Sequence, residues 1–137
     1  MIVITLLRYY ALFEFNIYIC SIESVTMKEL DLQFPTCPIR NVLGRFADKW
    51  SLLILCSLQA QGKLRYTEIR NAIPDISQKM LTSTLKQLEK DNLLKRKAYA
   101  EIPPRVEYSL TDLGLSLMPI IGQMIEWAQV HFEEVTK

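Results

Sequence analysis

A chain of 137 residues with half its residues hydrophobic can bury one modest core, so a single globular domain is expected and a multidomain machine is excluded. The net charge of +1 conceals a polarity: residues 63 to 105 hold ten Lys or Arg against five Asp or Glu, and the remainder six against ten. This concentration of about +5 points to an anionic partner, while three cysteines, Cys20, Cys37 and Cys56, in no C-x-x-C spacing argue against a disulfide framework or zinc site and for a reducing cytoplasm.

Residues 1 to 22 are apolar and aromatic with only Arg8 and Glu14 charged. A signal or anchor has this length but lacks a basic flank and a small-residue cleavage site, and no membrane association is expected. An added strand or helix is a second reading. The third, which the polar run MKELDLQF favours, is that Met27 is the true start, 1–26 an apolar leader and 27–137 the domain.

From Cys37 the signals become regular. Pro38 suits a first helical position, and Ile39, Val42, Leu43 and Phe46 predict a helix over about 38–47. Asp48 can cap a second helix, 49–61, apolar on all sides and so the expected centre of the core, ended by Gly62. Residues 64–66 read as a short strand that pairs with something later. Thr67 is expected to cap a brief helix, 68–73, stopped by Pro74.

The stretch from Pro74 to Leu110 organises the rest. Ser77 is the expected N-cap of a helix running to about Asp91 and Asn92, with Ile76 and Leu81 as a hydrophobic staple. Leu81, Leu85 and Leu88 form its buried stripe at i, i+4, i+7 spacing, and Lys79, Thr82, Ser83, Lys86 and Lys90 lie opposite. A rod with such a face has the diameter that enters a DNA major groove. Residues 95–99 and 106–110 then read as two strands around a tip at 100–105, a wing whose second strand alternates with its apolar side inward.

Thr111 and Asp112 open a last helix, taken as 111–135, with Pro119 expected to bend it near Leu115. Its stripe includes Leu117, Ile121, Met124, Trp127, Ala128 and Phe132 and is too broad for a small domain to cover, so these six are assigned to a partner-subunit interface. The fold class expected is mostly α with a small β-wing (α+β), a winged helix-turn-helix domain with terminal dimerisation helices.

Several strings in order carry a resemblance: Cys37-Pro38; Lys49 to Leu55; Arg65 to Ile69; Ile76 to Leu81; Pro103 to Thr111; and Trp127-Ala128. Together they resemble the HxlR family of bacterial winged helix-turn-helix regulators, relatives of the MarR type, over about residues 37 to 132. The resemblance implies a homodimer that binds a pseudo-palindromic operator and usually regulates a neighbouring gene.

Ser77, Gln78, Lys79, Thr82, Ser83 and Lys86 are the expected major-groove residues, and Arg65, Lys90, Arg96, Lys97 and Arg105 the expected phosphate or wing contacts. Arg96 and Lys97 point to opposite sides of a strand and so serve different ends. The bland reading of these cations is a solvated face. Cys37, at a helix N-terminus near Arg40, is positioned to be an oxidant- or electrophile-sensitive thiolate, as in some members of the resembled family; otherwise it merely fills a cap. A small-molecule inducer at the dimer interface is a further expected partner. Trp50 and Trp127 read as core or interface. An enzyme is not expected, because His131 is the only histidine and no glycine-rich phosphate loop or supported carboxylate pair occurs, and no cofactor is expected either. The function expected is a DNA-binding transcriptional regulator, more readily a repressor; the alternative is a winged-helix interaction module that does not bind DNA.

Overall fold

The computed structural model describes residues 37–137, which fall into two units, one ending at Asn41 and one spanning Val42–Lys137. The leader assigned to residues 1–26, and Cys20 within it, lie outside the described residues.

In the first unit, Cys37 precedes α1 (Pro38–Asn41), a single turn closed by Asn41 N–H donating to the Cys37 carbonyl at 3.1 Å. The second unit begins with a 3-10 turn at Leu43–Arg45. The continuous helix expected over 38–47 is therefore broken at Val42, and Val42 and Leu43 are exposed while Phe46 enters the core.

Helix α2 (Lys49–Gln61) starts where a carboxylate can take its free N–H groups: Asp48 accepts from the Trp50 and Ser51 amides at 3.0 and 3.1 Å. Its Ile54, Leu55 and Leu58 are almost wholly buried, and it stands at the centre of the domain. Gly62 ends it at φ 78°, a backbone state glycine adopts without a Cβ penalty, and its N–H closes on the Leu58 carbonyl at 2.7 Å.

Strand β1 (Lys63–Arg65) leads directly into α3 (Tyr66–Ala72). The cap falls at Arg65 rather than at Thr67, because Glu68 Oε2 reaches back to the Arg65 N–H at 2.6 Å, and Thr67 lies inside the helix. Arginine has no side-chain acceptor, so only this half of a capping box forms.

Helix α4 (Gln78–Lys90) is capped by Ser77, whose Oγ accepts from Met80 N–H at 3.2 Å. It buries Leu81, Leu85 and Leu88 as the spacing requires, plus Thr84, and Ile76 and Leu81 both join the core. Each of these leucines is worth about 2–5 kcal/mol against alanine in a packed site. Asp91 closes the helix and takes Arg45 Nη1 and Gln87 Nε2 at 3.0 and 2.6 Å; Asn92 then turns the chain at φ 58°, a left-handed state asparagine tolerates.

β2 (Leu94–Tyr99) and β3 (Arg105–Leu110) form a hairpin, and β1 adds to the other side of β3, giving an antiparallel sheet in the order β1-β3-β2. The register sets Leu94 opposite Leu110, Arg96 opposite Tyr108 and Leu64 opposite Tyr108, all on the face that packs on the helices. β3 is thus the central strand and is partly covered along its length, not alternately buried and exposed as expected.

Helix α5 (Asp112–Val130) continues through Pro119 and is followed by one turn, α6 (Phe132–Val135). Its start is fastened to the end of α4. Thr111 Oγ1 accepts from Gly114 N–H at 3.1 Å and donates to the Asn92 carbonyl at 2.6 Å, while Thr111 N–H donates to the Leu93 carbonyl at 3.2 Å. Gly114 is buried there so closely that a Cβ would lie 2.1 Å from the Leu93 oxygen. This is a mostly helical fold with a three-stranded sheet, a winged helix-turn-helix.

Candidate nucleic-acid interface

The turn between α3 and α4 brings two elements together through one side chain. Tyr66 Oη donates to the Gln78 carbonyl at 3.2 Å and sits 3.2 Å from Thr82 Oγ1. The start of α3 is thereby locked across the first turns of α4. Sequence reasoning missed Tyr66: an aromatic residue between a strand and a helix gives no local sign of a partner 12 to 16 residues away.

All six residues assigned to the groove face, Ser77, Gln78, Lys79, Thr82, Ser83 and Lys86, are exposed, as is Met80 between them. Their hydroxyls are largely engaged. Ser77 caps the helix, Thr82 meets Tyr66, and Ser83 Oγ donates to the Met80 carbonyl at 2.9 Å. Gln78, Lys79 and Lys86 remain as side chains without an internal bond among the described residues, and these carry the donors best suited to base edges and phosphates.

The five cations assigned to backbone contacts separate into distinct settings. Arg96 lines a groove of about 360 Å³ with Tyr66, Thr82, Lys86, Glu89 and Tyr108, on the recognition-helix side of the sheet. Lys97 is across the sheet on the outer face, opposite Glu107, with its Nζ 4.9 Å from the Tyr99 ring, so the expected division between the two neighbours holds. Arg65 also pairs in register with Glu107 on that outer face, and Lys90 is exposed at the end of α4. Arg105 departs from expectation. It is held by Glu101 at 3.0 Å, by Glu107 at 3.7 Å and against the Tyr99 ring at 4.1 Å, so it braces the base of the wing tip instead of standing free for phosphate. Lys79, Lys86, Arg65, Arg96, Lys97 and Lys90 form no ion pair among the described residues, which leaves their charge for an outside anion.

The six residues assigned to a subunit interface also divide. Ile121 is 2% exposed within its own core, and Leu117 is half-buried against that core. The Ile121 assignment is therefore corrected: α2 and α5 pack together and leave it no surface for a partner. Met124, Trp127 and Phe132, at 53%, 60% and 64% exposure, remain uncovered with Ala128, joined by Ile120 and Ile125. Their number along α5 and the following turn is more apolar surface than scattered surface residues present.

Cys37 is 1% exposed, ahead of a helix of only four residues. The extended helix dipole expected to act on it is absent, since a single turn aligns few peptide units. Cys56 is half-buried in α2, and desolvation pushes its thiol above the ordinary range, consistent with packing. No helix among the described residues is long and apolar enough to cross a membrane.

The HxlR-like helix-turn-helix family model matches residues 45–136. The chain belongs to this family. An HTH-type transcriptional regulator from Methanothermobacter thermautotrophicus is 44% identical over 95 residues, 69% of this chain and 72% of that relative. Among solved structures, a MarR-family transcriptional regulator from Porphyromonas gingivalis W83 is 42% identical with a TM-score of 0.64, covering 72% of this chain and 96% of that one. The redox regulator HypR in its reduced form is 37% identical with a TM-score of 0.67, over 72% and 97% of the two chains. The HxlR-like match spans every element from α2 to α6, so the helix-turn-helix and its wing are family features and the protein is a transcriptional regulator of this type.

Proposed function

We propose that this HxlR-like regulator binds double-stranded DNA sequence-specifically as a homodimer on a pseudo-palindromic operator in the cytoplasm, and that it represses by occluding a promoter. The observation that carries the reading is the exposed face of α4, where Gln78, Lys79 and Lys86 stand without internal partners beside Arg96 across the groove. Phosphate contacts from lysine and arginine supply affinity and the helix supplies base readout. The uncovered apolar run of Met124, Trp127 and Phe132 supports pairing through α5, which would place two reading helices on successive half-sites.

Oxidant control through Cys37 belongs to the same reading. It is supported by the likeness to a redox regulator and by the thiol's place at the edge of a one-turn helix, where local opening is less costly than in the core. Gel-shift titration against DNA upstream of the protein's own and adjacent genes, repeated over a salt series, tests the DNA reading. A sequence-preferring complex that weakens steeply with salt is expected. Absence of any such complex would leave the protein as an interaction module.

A further inference from the structure

The tip of the hairpin between β2 and β3 presents a side chain that nothing among the described residues covers. Ile102 is fully exposed, while every other large aliphatic or aromatic residue of the hairpin is buried or half-buried. Pro103 and Pro104 follow it, and their rings fix φ, so the tip loses little freedom on meeting a partner. The two charges beside Ile102 cancel. Glu101 and Arg105 pair at 3.0 Å, and Arg105 lies against the Tyr99 ring at 4.1 Å. Residues 100–105 hold no other charge, so the tip ends in an apolar nose with neither a free cation nor a free carboxylate.

This nose stands beside the start of the helix-turn-helix. Glu101, Ile102 and Pro103 line a cleft together with Arg65, Tyr66 and Thr67. Tyr66 is the residue whose hydroxyl meets the Gln78 carbonyl and Thr82, so one side chain borders both the tip and the first turns of α4. Arg65 beside it forms no ion pair among the described residues and is left for a phosphate at a groove edge. Arg96, in the groove with Lys86, stands six residues before Ile102, so the extended chain carries Ile102 up to about 20 Å beyond it. The minor groove flanking a major-groove half-site lies half a helical turn away, roughly 17 Å. That groove is about 6 Å wide, enough for one branched aliphatic side chain. Over A·T its floor carries only acceptors, whereas G·C adds the guanine amino group. An apolar side chain gives that donor no acceptor and takes away its water, so burial against G·C is penalised.

We infer that Ile102 is a specificity-determining contact: it enters the minor groove flanking the half-site read by α4 and selects A·T over G·C there by apolar contact, without adding charge. The inference rests on the DNA reading above. A pool of fully randomised duplexes is enriched with the full wild-type chain. The enriched duplex is then titrated by fluorescence anisotropy over a salt series, with its flanking pairs as A·T, as G·C and as inosine·cytosine. Inosine lacks the guanine amino group, so it offers an A·T-like minor groove under a G·C-like major groove. Wild type should bind the G·C flank about tenfold more weakly than the A·T flank, and inosine should restore the affinity. Ile102→Ala should bind all three flanks within about twofold and keep the slope of log affinity against log salt, because no cation is lost. Ile102→Arg should steepen that slope by about 1, since it sets a cation among phosphates. Equal wild-type binding to A·T and G·C flanks, no rescue by inosine, a flank preference kept by Ile102→Ala, or an unmoved slope in Ile102→Arg would each overturn the inference and leave the DNA reading standing. Failure to enrich any duplex would overturn both. Because Ile102 is fully exposed, neither variant should move the melting temperature, and a drop in Ile102→Ala would overturn the inference by showing that the side chain packs within the fold.

Discussion

The Tyr66 hydroxyl lies 3.2 Å from the Thr82 hydroxyl, bridging the two helices of the helix-turn-helix at the point where the reading helix begins to face outward. Removing that oxygen alone isolates its effect. Tyr66→Phe is expected to cost about 0.5–1 kcal/mol of stability, measured by urea denaturation, because the bond is partly exposed and its partners can turn to water. The DNA complex should weaken several-fold beyond this, since the first turn of α4 loses its brace. Undiminished affinity would show that the aim of α4 is set elsewhere.

Lys86 projects from the middle of the exposed face of α4 and forms no ion pair among the described residues. Lys86→Ala should weaken DNA binding and flatten the slope of log affinity against log salt by about 1, the signature of one lost phosphate contact. Arg105→Ala should lower the melting temperature while changing that slope less, because its guanidinium is already spent on Glu101, Glu107 and Tyr99.

Exposed Met124 offers a direct probe of pairing. Met124→Glu should leave the protomer's circular dichroism unchanged, since the side chain makes little of the core, and should shift sedimentation toward the monomer by placing an unpaired charge in an apolar interface. An unchanged sedimentation coefficient would remove α5 from the interface.

Cys37→Ser tests the oxidant response. Wild-type protein treated with diamide is expected to lose or change its DNA affinity, and the serine variant is expected not to. Cys56 should contribute nothing to the difference: its thiol is pushed up by burial, so less thiolate is present at neutral pH and alkylation by iodoacetamide should lag behind that of a free cysteine peptide. Because the folded thiol holds its proton more tightly than the unfolded one, this group favours the fold below the ordinary thiol range and ceases to as pH rises through it.

Two glycines of α5 should respond oppositely to alanine. Gly114→Ala drives a Cβ to 2.1 Å from the Leu93 carbonyl oxygen, so a loss of about 1–3 kcal/mol is expected despite the better helix propensity. Nothing lies within 4 Å of a Cβ at Gly122, and Gly122→Ala should gain up to about 1 kcal/mol in thermal denaturation of the monomeric variant.

Local chemistry made much of this fold legible in the sequence. Asp48, Ser77 and Thr111 each announce a helix start because a short polar side chain meets its own backbone within three residues, and Gly62 announces a stop. The leucine stripe of α4 reads correctly for the same reason: its period is intrinsic to the helix. What escaped is long-range. Tyr66 reaches α4 and Arg105 is spent on acids of its own hairpin, neither of which periodicity records. Ile121 shows the limit of counting apolar positions, since a broad stripe does not reveal which of its edges the chain's own core already covers. The helix expected over 38–47 failed at Val42, where the apolar spacing continues but Ile39, Val42 and Leu43 stay exposed and only Phe46 reaches the core.

The joint at Thr111 has a geometric outcome. Asn92 and Leu93 end the reading helix, and their carbonyls are the two that hold the first residue before α5, with Gly114 seated against them. The end of α4 and the start of α5 are therefore tied within a few residues, through two backbone carbonyls and the short Thr111 side chain. If two chains pair through α5 as proposed, rotating one long arm against the other would swing the α4 end through the same angle. The spacing of the proposed half-sites would then be a measure of how the long arms cross.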